Sequence, residues 1–265
     1  MQQVQLVQLE VDAPSGIAQL RFNRPNVLNA IDVAMARALR DQVQVLAADP
    51  RVRCVVLSGQ GKAFLAGGDL APLAQDFDHA PQVVDELLDA MHPAIEQLRA
   101  MDAPVIGAVH GAVAGAGLSL MAGCDLVLVA EGTRFLMAFD RVGLSPDCGG
   151  TYYLPRLIGQ RQTAELYLLG ATLTAEQALA LGLVNRVVPA AELASQTHQW
   201  ATQVASGPTR ASGEFKRLIQ RSLNSTLTEQ LAAERAAVKA GTLTQDFRVG
   251  TEAFMARQAP QFNGR

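Results

Sequence analysis

The 265-residue chain is poor in the features that mark several protein classes. It has three cysteines, Cys54, Cys124 and Cys148, far apart and in no CxxC pair. That spacing excludes a disulfide framework and a cysteine zinc site, and suggests reduced thiols in a cytoplasmic protein. The four histidines, His79, His92, His110 and His198, do not pair at metal-ligand spacing, so no metal is expected. His110 reads as a strand-end core or turn residue. Lysine and arginine form no long run, and the net charge is −3, which argues against nucleic acid or an anionic membrane as a partner. The longest apolar stretches are broken by His110, Asp125 and several glycines, short of the roughly 18–20 residues of a membrane span. The opening "MQQVQLVQLEVD" lacks a basic segment followed by an apolar one and reads as an edge strand, not a signal peptide. There is no internal repeat and no low-complexity linker.

Apolar residues are not scarce. They make up 49% of the chain, enough for a substantial core in one large domain, or in one domain with an extension. Residues 4–11 and 16–22 alternate apolar and polar side chains around Pro14, Ser15 and Gly16, which predicts a β-hairpin. A helix should start at the N-cap Asp32, with Met35, Ala36, Leu39, Val43 and Leu46 at helical spacing, and stop before Pro50. "RCVVLSG", "PVIGAVHG" and "DLVLVA" read as buried strands. Residues 83–101 read as a helix that Pro93 kinks or splits. Strands alternating with helices imply an α/β fold with at least partly parallel pairing. Beyond Thr174 the pattern is mostly helical: 175–181, 192–206, 209–222, 227–240 and 247–257.

Several familiar motifs are incomplete. "GAGLSL" (residues 115–120) starts like a dinucleotide fingerprint but ends in Leu120. Ser119 stands in "GLSLM", which is not a GxSxG nucleophile elbow. No Walker A lysine motif is present. Two glycine-rich loops remain, "GKAFLAGGDL" (61–70) and "HGAVAGAGLSL" (110–120), each after a buried strand. Backbone N–H groups from two such loops can converge on one oxygen and stabilise an enolate or a tetrahedral oxyanion. Taken singly, either loop reads as well as a tight turn that lets helix and sheet pack closely. A lone acidic residue also stands out: Asp147 in "SPDCGGTYYLPR", with apolar residues on both sides. It suits a helix N-cap, and it equally suits a carboxylate whose basicity burial has raised.

"FNRPNVLNAI", "GKAFLAGGDL", "VHGAVAGAGLSLMAGCDLVLVA", "GLSPDCGGTYYLPRLIG" and "TEAFMARQAPQFNGR" together resemble the crotonase (enoyl-CoA hydratase/isomerase) superfamily, in order and over nearly the whole chain. The resemblance implies a spiral of ββα units, a helical C-terminal trimerisation region and acyl-CoA thioester chemistry. On that reading residues 1–200 form the acyl-CoA-binding core and 201–265 the oligomerisation region. The partners would be an acyl-CoA and copies of the same chain, as a homotrimer or hexamer. Coenzyme A would enter only as part of the substrate, with no other cofactor.

Carried over by position, the resemblance puts the oxyanion N–H groups at Gly68 and Ala116. It puts the coenzyme A thioester contacts at Arg24, Val27, Leu28, Lys62, Ala63 and Ala66, and gives Asp69 a loop-shaping role beside Leu70. Family hydratases carry two glutamates that activate and orient water; here their places hold Ser119 and Phe139, with Asp140 next to the latter. A hydroxyl and a benzene ring cannot replace two carboxylates in water addition. The stretch "FLMAFDRVGLSPDCGGTYYLPR" looks closest to the branch containing epoxyphenylacetyl-CoA isomerase, where the aspartate at position 147 is the acid/base. The expectation is therefore an acyl-CoA isomerase that uses Asp147. The alternatives are an enoyl-CoA hydratase, a non-catalytic CoA-binding or assembly protein, and a Clp-protease-type hydrolase using Ser119.

Overall fold

The computed structural model describes residues 5–265. β1 (Val7–Asp12) and β2 (Ile17–Phe22) form the expected antiparallel hairpin, with Val7 opposite Phe22. The expected start at Val4 lies outside the described residues. α1 (Val33–Ala48) begins where Asp32 accepts the Met35 N–H at 2.8 Å, and it buries the predicted stripe from Met35 to Leu46.

Three ββα units follow. The first is β3 (Cys54–Gly59), β4 (Ala63–Leu65), the short α2 (Ala71–Gln75) and α3 (Ala80–Ala100). The second is β5 (Val105–Val109), β6 (Ala112–Ala114) and α4 (Ala116–Ala122). The third is β7 (Leu126–Ala130), β8 (Arg134–Leu136) and α5 (Gly150–Leu168), which is broken at Gly159, where φ is 81°. Then come β9 (Thr172–Thr174), α6 (Ala175–Ala180), β10 (Arg186–Val188), α7 (Leu193–Ala205), α8 (Thr209–Ser222), α9 (Leu227–Gly241) and α10 (Gln245–Ala256). No helix among the described residues is long and apolar enough to cross a membrane.

The first strand of each unit joins a six-stranded sheet, β1-β2-β3-β5-β7-β10, parallel except for the hairpin. The second joins a smaller sheet, β4-β6-β8-β9, in which only β8–β9 is antiparallel. This is the spiral expected from the resemblance. Alternate residues of β3 serve two cores: Val55 and Leu57 pack with α1 and α3, whereas Cys54 and Val56 pack with Ala201 and Ala205 of α7. A strand buried on both faces needs the continuous apolar run "CVVL".

The structure refines two expectations. Of the two outcomes expected at Pro93 the split is absent: one helix runs through it, with Met91 and Ala94 buried on either side, so packing holds the segment that loses a backbone bond. The boundary at residue 200 falls inside α7, whose Ala201 and Ala205 belong to the second core. The core thus extends through α7, and the C-terminal helices begin at α8. Lys216 of α8 is buried and tied to the Leu98 and Ala103 carbonyls and, at 2.9 Å, to Asp125. α9 buries no side chain, and it and α10 leave large apolar groups in solvent, among them Leu227 and Phe254.

Candidate active site

β4 and β6 are parallel neighbours, so the loops at their C-terminal ends emerge together. These are the two glycine-rich loops. They pass backbone against backbone: a Cβ on Gly115 would lie 3.4 Å from the Gly67 Cα. Gly68 is held from both sides, because Ile31 N–H donates to the Gly67 carbonyl and Asp69 N–H to the Ile31 carbonyl, each at 2.8 Å. Among the described residues, the N–H groups of Gly68 and Ala116 have no acceptor. Ala116 is the first residue of α4, where no intrahelical partner exists for its N–H.

A polar clamp fixes the first loop. The Arg24 guanidinium lies 3.1 Å from both Asp32 and Asp69. Asp69 also accepts the Ala71 N–H at 3.1 Å, the loop-shaping role expected for it. Asn29, fully buried at φ 60°, donates to the carbonyls of Gln60, Ala63 and Phe64 and accepts the Arg24 N–H. The sequence reading missed Asn29. Its presence in "NVLNAI", where a left-handed residue must also satisfy a turn, was the available signal.

The loops open into a cleft of about 810 Å³. Ala66, Gly68, Asp69, Leu70, Ala116, Phe139 and Asp147 all line it. Its side wall is a stripe of α3, including Val84, Leu88 and His92. Asp147 precedes a turn in which Gly150 N–H donates to the Asp147 carbonyl at 3.0 Å, and Cys148 and Gly149 have φ 51° and 83°. Positive φ at both central residues is the pattern of a type I′ turn, and a cysteine there is strained. The N-cap of α5 is Gly149, without a side-chain capping bond. The capping role open to Asp147 is therefore not the one it fills. Its Oδ1 is buried with no hydrogen-bond partner. Burial pushes the carboxyl above the usual carboxylate range, against the opposing pull of the Cys148 thiol and of His92.

A fold of this topology with two unengaged N–H groups facing an orphan carboxylate can be set beside known proteins. The sequence matches the enoyl-CoA hydratase/isomerase family over residues 12–265. The chain belongs to that family. It is 38% identical to the 1,2-epoxyphenylacetyl-CoA isomerase of Escherichia coli K12, over 94% of this chain and 96% of that one. It is 29% identical to the trans-2-decenoyl-[acyl-carrier-protein] isomerase of Streptococcus mutans, over 95% and 96%. The crystal structure of an enoyl-CoA hydratase from Polaromonas sp. JS666 superposes with a TM-score of 0.90 at 32% identity, covering 97% of this chain and 99% of that one. The protein is thus an enzyme of the enoyl-CoA hydratase/isomerase family, which processes acyl-CoA.

Not every site expected from the family reaches the cleft. Ser119 is 2% exposed; its hydroxyl points back toward the Gly115 carbonyl at 3.5 Å and packs against Gly150, where a Cβ would lie 2.5 Å away. It does not line the cleft, and the α4–α5 packing is the reason. Ala63 is wholly buried, and its carbonyl accepts from Asn29. The Arg24 guanidinium turns inward to Asp32 and Asp69, which makes it part of the loop clamp. Val27 and Leu28 are about half-exposed, and Lys62 is exposed; none of the three lines the cleft. Leu28 still meets the site through its carbonyl, which accepts the Ala66 N–H at 3.1 Å. Asp140 is directed at Gly170, away from the cleft, while Phe139 faces in.

Proposed function

We propose that the enzyme is an acyl-CoA isomerase that moves a double bond from the 3- to the 2-position of an enoyl-CoA. The Gly68 and Ala116 N–H groups hold the thioester oxygen. Asp147 takes a proton from C2 and returns it to C4 through the intervening dienolate. The thioester acidifies its own α-carbon, so coenzyme A enters as part of the substrate and the scheme calls on no further cofactor. The observation that carries the reading is the isolation of Asp147: among the described residues it is the one carboxylate on the cleft without an arginine partner, since Arg24 engages both Asp32 and Asp69. A single carboxylate suffices to carry a proton between two carbons of one bound chain. Water addition needs a group to activate water as well as a proton donor.

The 38% identity to an epoxyphenylacetyl-CoA isomerase supports a second substrate for the same carboxylate, a strained ring opened next to the thioester. The exposed apolar faces of α8 to α10 support assembly as a trimer or as two stacked trimers; light scattering should then give three or six times 28.2 kDa. The placement of the reaction is tested by a crystal structure with an unreactive acyl-CoA analogue. The thioester oxygen should lie about 2.7–3.1 Å from both N–H groups. An oxygen bound away from Gly68 and Ala116 would overturn the scheme.

A further inference from the structure

Besides the Cys148 thiol, the cleft wall carries four ionisable side chains: Asp32, Asp69, His92 and Asp147. Arg24 is ion-paired with the first two, at 3.1 Å each. Burial and the neighbouring Asp147 raise the Cys148 thiol far above neutrality. Asp147 and His92 are the remaining two. They differ in access to water. The Asp147 Oδ1 is buried and partnerless, whereas His92 is exposed on α3. His92 also borders a second recess of about 440 Å³, and the Cys148–Gly149 turn that follows Asp147 walls both spaces. His92 and the turn that follows Asp147 thus line the same two spaces, the cleft and the recess.

We propose that His92 is the group through which Asp147 exchanges its proton with solvent, a positioning residue that acts through Asp147 and not on the substrate. The inference rests on the isomerase reading. Imidazole is the side chain that changes charge between pH 5 and 8, which suits it to this exchange. As a cation it also draws Asp147 toward its ionised form. The other charged or titratable groups around His92 are Asp89 and Glu96 on its own helix, and Arg99, Tyr152 and Tyr153 along the recess. None of them lines the cleft.

The chemistry provides the test. The C2–H bond breaks as its proton passes to Asp147, the electron pair of that bond forms C2=C3, and the C3=C4 π pair takes a proton at C4. If His92 exchanges that proton during the lifetime of the dienolate, C4 receives a solvent hydrogen. The probe is a 3-enoyl-CoA deuterated at C2, turned over in ordinary water, with the product read by mass spectrometry. The wild-type enzyme should place mostly solvent hydrogen at C4. His92→Gln should reduce that washout at least about tenfold. It should also move the acid limb of kcat/KM to higher pH, because the buried carboxyl loses a neighbouring cation. His92→Lys keeps the charge but holds its proton, so washout should fall while the limb stays in place. Deuterium already retained by the wild type, or equal washout in wild type and His92→Gln, would overturn the role of His92. Asp147→Asn separates the two ideas: if it keeps full turnover, the isomerase reading itself fails, whatever His92 does.

Discussion

At the Gly68–Ala116 end of the cleft, the groups that face the substrate are backbone N–H groups. They are held by bonds to Ile31, by the packing of Gly67 on Gly115, and by the Arg24 clamp. On another part of the same cleft wall one side chain, Asp147, stands on a strained left-handed turn with an unpaired oxygen. The first end tolerates changes of side chain so long as the N–H groups stay in place. The second depends on one atom type and sits in an environment that disfavours its charge. One end is therefore robust in chemistry and sensitive in backbone; the other is the reverse.

Substitutions can break that contrast, and the largest effect should come at the acid end. Asp147→Asn keeps the volume and removes the basicity, so isomerase turnover should fall by about a thousandfold, within the usual range for an acid/base group. Circular dichroism and binding of a substrate analogue should be nearly unchanged. At the donor end, Gly68→Pro deletes one N–H and should lower kcat by about a hundredfold. Gly68→Ala keeps it, and nothing lies within 4 Å of the added Cβ, so its rate should stay near wild type. Equal losses for the proline and alanine variants, both folded, would contradict a backbone donor.

The clamp sharpens the comparison one step further out. Arg24→Met leaves both donors in the chain but removes the cation from Asp32 and Asp69. We expect a loss in kcat/KM of about tenfold, together with about 1–2 kcal/mol of stability measured by urea unfolding. A smaller effect concerns stability against pH. The raised Asp147 carboxyl means that the folded state binds its proton more tightly than the unfolded one. Its contribution favours folding at low pH and is lost as pH rises through the folded pKa. Asp147→Asn should therefore melt above the wild type at pH 7, and the gap should close once both side chains are neutral in acid.

How far the sequence announced each end follows from the same difference. Buried strands such as "RCVVLSG" and the α1 stripe carry enough residues to show a period, and both were legible. β4, β6, β8, β9 and β10 have three residues each, too few to display one. The donor loops were readable from glycines after strands, because close backbone approach demands them. The Arg24 clamp was not, since its partner Asp69 is 45 residues away and ion pairs leave no local pattern. For Ser119, whether it faces the cleft or α5 depends on Gly150 packing over it, a contact between segments distant in sequence. Nothing local in the sequence marks His92 as a residue that shares a wall with the Asp147 turn.

The central claim is that one carboxylate moves a proton between carbons and does not add water. The direct test compares a 3-enoyl-CoA and a 2-enoyl-CoA of the same chain length, with products separated by chromatography. The account predicts that 2-enoyl-CoA forms from the first faster than 3-hydroxyacyl-CoA forms from the second. Efficient hydration with negligible double-bond migration would contradict it.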